Sequence, residues 1–137
     1  GMAYDTATLQ ITTAVTAVQL GETIDGLGAP SGISVDAIFA YVASAATSAK
    51  VYVQTSLDGG TTWFDIMCFA FTTASASKYL SSLALKEVNT AVALSQMALS
   101  DNTSINGRLG DRVRFMVTSV GTYGSGTRLD VTPTFYY

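Results

Sequence analysis

The stretch that decides the fold is Lys50-Val51-Tyr52-Val53-Gln54-Thr55-Ser56-Leu57-Asp58-Gly59-Gly60-Thr61-Thr62-Trp63-Phe64-Asp65-Ile66-Met67-Cys68-Phe69-Ala70-Phe71. In its first part Val51, Val53, Thr55 and Leu57 alternate with Lys50, Tyr52, Gln54 and Ser56, the two-residue period of a strand with one side in water. From Trp63 to Phe71 the chain is apolar, with aromatics at Trp63, Phe64, Phe69 and Phe71, and reads as a strand covered on both faces. Asp58, Gly59 and Gly60 between them have the chemistry of a tight turn: a short acceptor side chain and two residues tolerant of positive φ. Two strands joined this way make a β-hairpin.

Working outward, the same signals recur. Residues 34–43 place Val35, Ala37, Phe39 and Tyr41 on one face and Asp36, Ile38, Ala40 and Val42 on the other, which predicts a central strand covered on both sides. Residues 78–83 suggest a shorter strand. In residues 112–120, Val113, Phe115 and Val117 oppose Arg112, Arg114, Met116 and Thr118; in residues 129–137, Leu129, Val131, Pro133, Phe135 and Tyr137 oppose Asp130, Thr132, Thr134 and Tyr136. With Gly121, Gly124 and Gly126 between them, these two strands read as a hairpin pairing Phe115 with Val131 or Pro133, and Pro133 should mark an edge or a bulge. Towards the N-terminus, residues 8–20 are rich in Thr and Val and read as one strand or two short ones ending at Gly21, before a Gly- and Pro-containing loop at 27–32. Residues 83–99 are ambiguous. Val88, Thr90, Val92 and Leu94 alternate, whereas Leu85, Val88, Val92 and Leu99 fit a helical stripe, so extended structure or loop is favoured with one short helix as the alternative.

With no internal repeat to suggest a propeller or solenoid, the chain of 137 residues predicts one all-β domain over 1–137, an antiparallel β-sandwich or jelly roll. Gly1 before Met2 reads as a tag remnant. Charged residues are 12% of the chain, about half the usual ~25%, and net charge is −3. That balance argues against nucleic acid, whose backbone needs clustered Lys and Arg. Neither a membrane span nor a signal peptide is visible.

Histidine is absent, which excludes Ser-His-Asp and Cys-His catalysis and the commonest transition-metal ligand. Cys68, the single cysteine, reads as a buried apolar residue. Asp58 with Asp65, or Asp101 with Asp111, are the carboxylate pairs a glycosidase would need, yet each has a simpler role in a turn or at a strand start. Asp101, Asn102 and Asn106 offer oxygen ligands without an EF-hand spacing. Arg112 and Arg114 share a strand face, with Asp111 and Asp130 as the natural ion-pair partners of the local arginines. No catalytic residue, metal or cofactor is therefore assigned. Tyr123, Tyr136 and Tyr137 are candidate interface or ligand aromatics.

Ser56, Asp58, Gly60, Thr62 and Trp63 fill every specified position of S-x-D-x-G-x-T-W, the Asp-box pattern. It resembles the boxes of sialidases, which lie on propeller hairpins away from the catalytic centre, so the resemblance implies a structural hairpin with Trp63 packed beneath it. A broader likeness runs through 51–66, then Leu109-Gly110-Asp111-Arg112-Val113-Arg114, then Gly121-Thr122-Tyr123. Over roughly residues 35–135 the chain resembles small virion structural proteins of tailed phages and prophages. That likeness implies a class of role and no site residues: a non-enzymatic component of head decoration or tail, made in the bacterial host cytoplasm and located in the virion. It would act by self-association, a trimer among the options, and by docking to other virion proteins. The alternative is a carbohydrate-binding β-sandwich module with the exposed aromatics as its platform.

Overall fold

The computed structural model describes residues 2–3, 7–10, 14–43 and 48–137. Its strands are β1 (Met2–Ala3), β2 (Ala7–Gln10), β3 (Val18–Ile24), β4 (Gly32–Ala40), β5 (Ser48–Ser56), β6 (Phe64–Phe71), β7 (Ala76–Leu83), β8 (Thr103–Ser104), β9 (Arg112–Val120) and β10 (Arg128–Tyr136). They form two antiparallel sheets, in the orders β1-β10-β4-β7, with β2 also on β10, and β3-β9-β5-β6-β8. The fold is an all-β sandwich. Its period-2 segments supply the inner faces: Val35, Ala37 and Phe39 from one sheet meet Val51, Val53 and Phe115 from the other in a single apolar core.

The pairing is nested. β5 pairs β6, β4 pairs β7, β3 pairs β9 and β2 pairs β10, so the chain is a long hairpin folded over on itself, with β4–β10 and β5–β9 pairings joining its arms. This is jelly-roll connectivity, with β8 as a short addition beside β6. Alternate connections gather at opposite ends. One end carries the turn at 57–63 with the segments 25–31, 84–102 and 105–111; the other carries 72–75 and 121–127.

Several sequence expectations are corrected. The two C-terminal strands do not form a hairpin: Phe115 of β9 lies between Leu20 and Val53, whereas Val131 of β10 lies between Ala7 and Ala37 and Pro133 is paired with Val35. Their odd residues face one core from opposite sheets, an alternation indistinguishable in sequence from pairing within one sheet. Pro133 occupies an interior strand, and the ladder to β1 and β2 slips by one residue between the pairs Thr134–Ala3 and Val131–Ala7 that flank it. A missing donor is tolerated at such a slip. Residues 11–13 of the N-terminal segment lie outside the described residues, and its second strand runs past Gly21 to Ile24 through a register shift. Residues 83–99, by contrast, follow the favoured reading: beyond the end of β7 they are turn and irregular chain, without the alternative short helix.

The coverage of two central strands is also inverted relative to expectation. β5 was to have one wet side, yet Tyr52, Gln54 and Ser56 are buried; β4 was to be covered on both faces, yet Asp36 and Ile38 are exposed. β6 is buried on both faces as its composition predicts, with Cys68 inaccessible and its thiol pKa pushed up by burial.

Candidate functional site

Ser56, Asp58, Gly60, Thr62 and Trp63 build the turn at one end of the sandwich. Gly59 and Gly60 take φ of 75° and 94°, conformations that admit glycine and penalise other residues. The Ser56 hydroxyl donates to Asp58 Oδ1 at 2.8 Å and accepts the Gly60 N–H at 2.9 Å. Asp58 Oδ1 also accepts the N–H groups of Thr62 at 2.8 Å and Thr61 at 3.1 Å. Trp63 is buried, and its indole N–H donates to Gly60 O at 3.0 Å. The residues matched by the motif therefore act on one another as a structural turn.

Donation by the Thr62 backbone and side chain, then by Ser56, holds the Asp58 pKa at about 2, well below its ordinary 3.8. A carboxylate with a depressed folded-state pKa contributes stability that is complete above the unfolded value and disappears as pH falls through the folded one. Asp58→Asn should consequently flatten the loss of stability between about pH 4 and pH 2, read by urea titrations at a series of pH values. An acid limb identical to that of the unsubstituted protein would contradict the assignment.

Directly behind the turn, Asp65 sits in β6 at 1% exposure. Its Oδ1 accepts Gln54 Nε2 at 2.8 Å and the Met97 N–H at 2.8 Å; its Oδ2 accepts the N–H groups of Ala98 at 2.8 Å and Leu99 at 3.0 Å and the Ser95 hydroxyl at 3.2 Å. The Asp65 N–H donates in turn to Ser95 O. Gln54 Oε1 accepts Arg114 Nε at 2.9 Å, and the Arg114 guanidinium stacks 4.5 Å from the Trp63 ring centroid, with burial lowering its pKa. One buried carboxylate thus ties an irregular segment to the sheet and links it to Trp63. Sequence reasoning named Asp65 only as half of a carboxylate pair that it set aside, and assigned it no role. The signal it carried was a lone acid inside an apolar run, which must find several donors if it is to remain buried.

The segment so held covers the free side of β6 and the outside of β5. Ile105 N–H donates to Ile66 O, Asn102 Oδ1 accepts Ala70 N–H, and Asp101 pairs with Lys50 at 2.8 Å. Around it the same end of the sandwich presents Leu57, Leu83, Leu85, Val88, Val92 and Leu94, all exposed, with Leu85 at 89%. Two clefts of about 290 and 200 Å³ share Gly107 and Arg108: the first is walled by Pro30, Leu57 and Leu85, the second by Val88, Val92 and Leu94. Arg108 lies 4.4 Å from the Phe64 ring centroid. Close packing beneath this end is enforced at Gly110, where an added Cβ would stand 1.9 Å from Ser56 O.

The remaining candidates are dispersed. Tyr123 is a core residue: it packs edge-on against Phe39 and Tyr41 and donates its hydroxyl to Thr72 O at 2.9 Å, at the end opposite the turn at 57–63. Glycines on either side allow the chain to cross between sheets there, and the ring fills the space under the crossing. Tyr136 and Tyr137 are exposed at the end that carries the turn at 57–63, the Tyr137 hydroxyl donating to Leu27 O at 2.8 Å. Asp58 and Asp65 are each occupied by separate backbone donors. Asp101 pairs with Lys50, and Asp111 lies 3.8 Å from Arg112. Asn102 and Asn106 direct their oxygens at Ala70 and Leu83 N–H groups, and among the described residues no cluster of three or more Cys, Asp or Glu could hold a metal. Arg112 also faces Asp25 at 3.9 Å and Arg128 pairs with Asp130 at 3.0 Å. No helix among the described residues is long and apolar enough to cross a membrane.

The chain matches no family model and no curated protein sequence, so its function is argued from this geometry.

Proposed function

We propose that the protein is a non-enzymatic structural component of a phage or prophage particle that works by docking, onto its own copies and onto other particle proteins. The observation that carries this reading is the apolar surface at the Asp-box end. Leu85, Val88, Val92 and Leu94 belong to an irregular segment with no strand or helix of its own to form, yet hydrogen bonds to Asp65 fix the end of that segment and the four side chains stay 47–89% exposed. A fixed segment displaying contiguous apolar side chains is the surface expected of a protein that buries it against a partner. The low charge of the chain and the resemblance of 51–66, 109–114 and 121–123 to virion proteins support the same reading. The carbohydrate alternative is weakened by Tyr123, one of its three platform aromatics, lying in the core.

Particles induced from the lysogen that encodes the chain test this directly. The purified protein should cosediment with them at a fixed ratio, and the double variant Leu85→Ser, Val92→Ser should lose most of that binding with unfolding stability within about 0.5 kcal/mol of the parent, as for exposed positions generally. Protein that stays in the supernatant with its own particles would overturn the proposal.

A further inference from the structure

Sheet edges present backbone donors and acceptors that invite another strand, and proteins that stay apart guard them with charge, bulges or covering segments. The other edges of the two sheets have such protection: β8, β1 and β2 are only two, two and four residues long, and β3 carries a register shift and Glu22. β7 differs. Leu83 directs both its N–H and its C=O away from β4, to Asn106 Oδ1 and to the Gly107 N–H. Because backbone direction alternates along an antiparallel strand, Ser77, Tyr79 and Ser81 direct theirs to the same outer side. Among the described residues no backbone partner meets them there.

The one charge on this strand lies on its inner side and leaves the outward N–H and C=O groups of Ser77, Tyr79 and Ser81 uncovered. Lys78 turns inward, donating to Ala70 O at 2.6 Å and Asn102 Oδ1 at 3.1 Å and lying 4.8 Å from the Phe71 ring centroid. A groove of about 450 Å³ lined by Phe69, Tyr79, Leu80 and Asn102 runs beside the edge, giving room for an incoming chain. The choice of occupant follows from the order Ser77-Lys78-Tyr79-Leu80-Ser81, whose outward residues read the same in both directions about Tyr79. Antiparallel pairing with an identical strand would place Tyr79 against Tyr79 and Ser77 against Ser81, with every outward N–H and C=O of the three residues matched.

We propose that β7 pairs with the β7 of a second copy about a two-fold axis at Tyr79, joining two sheets into one continuous sheet across a dimer. Such an isologous contact closes on itself and consumes the exposed edge, so it ends at two chains. The axis also accounts for Tyr79, which is 75% exposed in the single chain and would lie against its symmetry mate on the outer face. The inference deepens the self-association named above and rests on that part of it.

Sedimentation and cysteine cross-linking of the full chain test it. The protein should sediment at twice its 14.3 kDa mass, and Tyr79→Cys should form a disulfide-linked dimer on mild oxidation while Ile38→Cys, on the same sheet face but one strand inward, should not. Ser81→Pro removes a donor directed away from β4, and Tyr79→Asp sets like charges at the axis of an exposed position; each should weaken the dimer at least tenfold. The Tyr79→Asp arm stands even where the proline variant folds poorly. A dimer that survives both substitutions, without the Tyr79→Cys cross-link, overturns the β7 interface and leaves self-association intact. A protein that is monomeric at every concentration yet cosediments with its particles overturns the interface and leaves the docking role standing.

Discussion

Asp65→Ala is expected to cost about 4 kcal/mol of unfolding free energy, because charge-assisted hydrogen bonds to a buried carboxylate contribute roughly 1.5–3 kcal/mol each and only some of the released donors can reach water. The Gln54 amide cannot; it is buried, and its donor to Asp65 would be left without an acceptor. The N–H groups of Met97, Ala98 and Leu99 would instead be freed with the segment that carries them. Two signatures should therefore appear together: a lower urea midpoint, and loss of amide protection at residues 97–99 under native conditions. Asp65→Asn keeps the size but turns an amide donor towards groups that are themselves donors, so it should show the same local loss with a smaller global one. Retained protection in both variants would mean that the segment is held by something other than the carboxylate.

Tyr123→Ala should be of similar size, about 4 kcal/mol or roughly 15 °C in Tm for a chain of this length, the cost of removing a large aromatic from a packed interior. The ring touches Phe39 and Tyr41 edge-on, and Phe39 stacks in turn on Phe71 at 5.0 Å, so its loss opens a cavity between the sheets. Tyr123→Phe isolates the hydroxyl bonded to Thr72 O and should cost about 1 kcal/mol. Thermal and urea unfolding of both variants check this. A ligand-facing tyrosine would show the opposite pattern, with stability unchanged.

Local chemistry was legible in the sequence where neighbours along the chain determine it. The turn at 56–63 needs only Ser56, Asp58, two glycines and Trp63, and the structure assembles them as their side-chain chemistry requires. The inward residues of β9 and β10 were legible for the same reason, since alternation reports which side chains are buried. It does not report which sheet a strand joins, and Phe115 and Val131 have the same alternation whether paired to each other or facing across the core. The inversion between β4 and β5 has a related cause. Ile38 and Ala40 look buried by composition, but among the described residues no segment covers the outer face of β4, whereas Tyr52 and Gln54 look exposed and are covered by a stretch that begins more than forty residues later in the chain at Ser95. Such coverage depends on contacts remote in sequence. Residue type alone left both outcomes unread: Asp65, given no role, is an anchor, and Tyr123, a candidate interface aromatic, is a core residue, because each is buried by partners remote in sequence.

The nested pairing bears on how the chain reaches this state. β5 and β6 are joined by a short turn and can meet early at low entropic cost; once they have met, the ends of β4 and β7 are already close, and the same holds outward to β9 and finally β10. Each closure shortens the loop that the next must close. The turn at 57–63, the innermost bend, is thus placed to start a sequence of closures running from the middle of the chain to both termini, and the strands from its two ends, β2 and β10, are the last to find each other. For a topology dominated by distant contacts, which folds slowly when its loops must close unaided, the self-bonded turn shifts the search from many long closures to a succession of short ones.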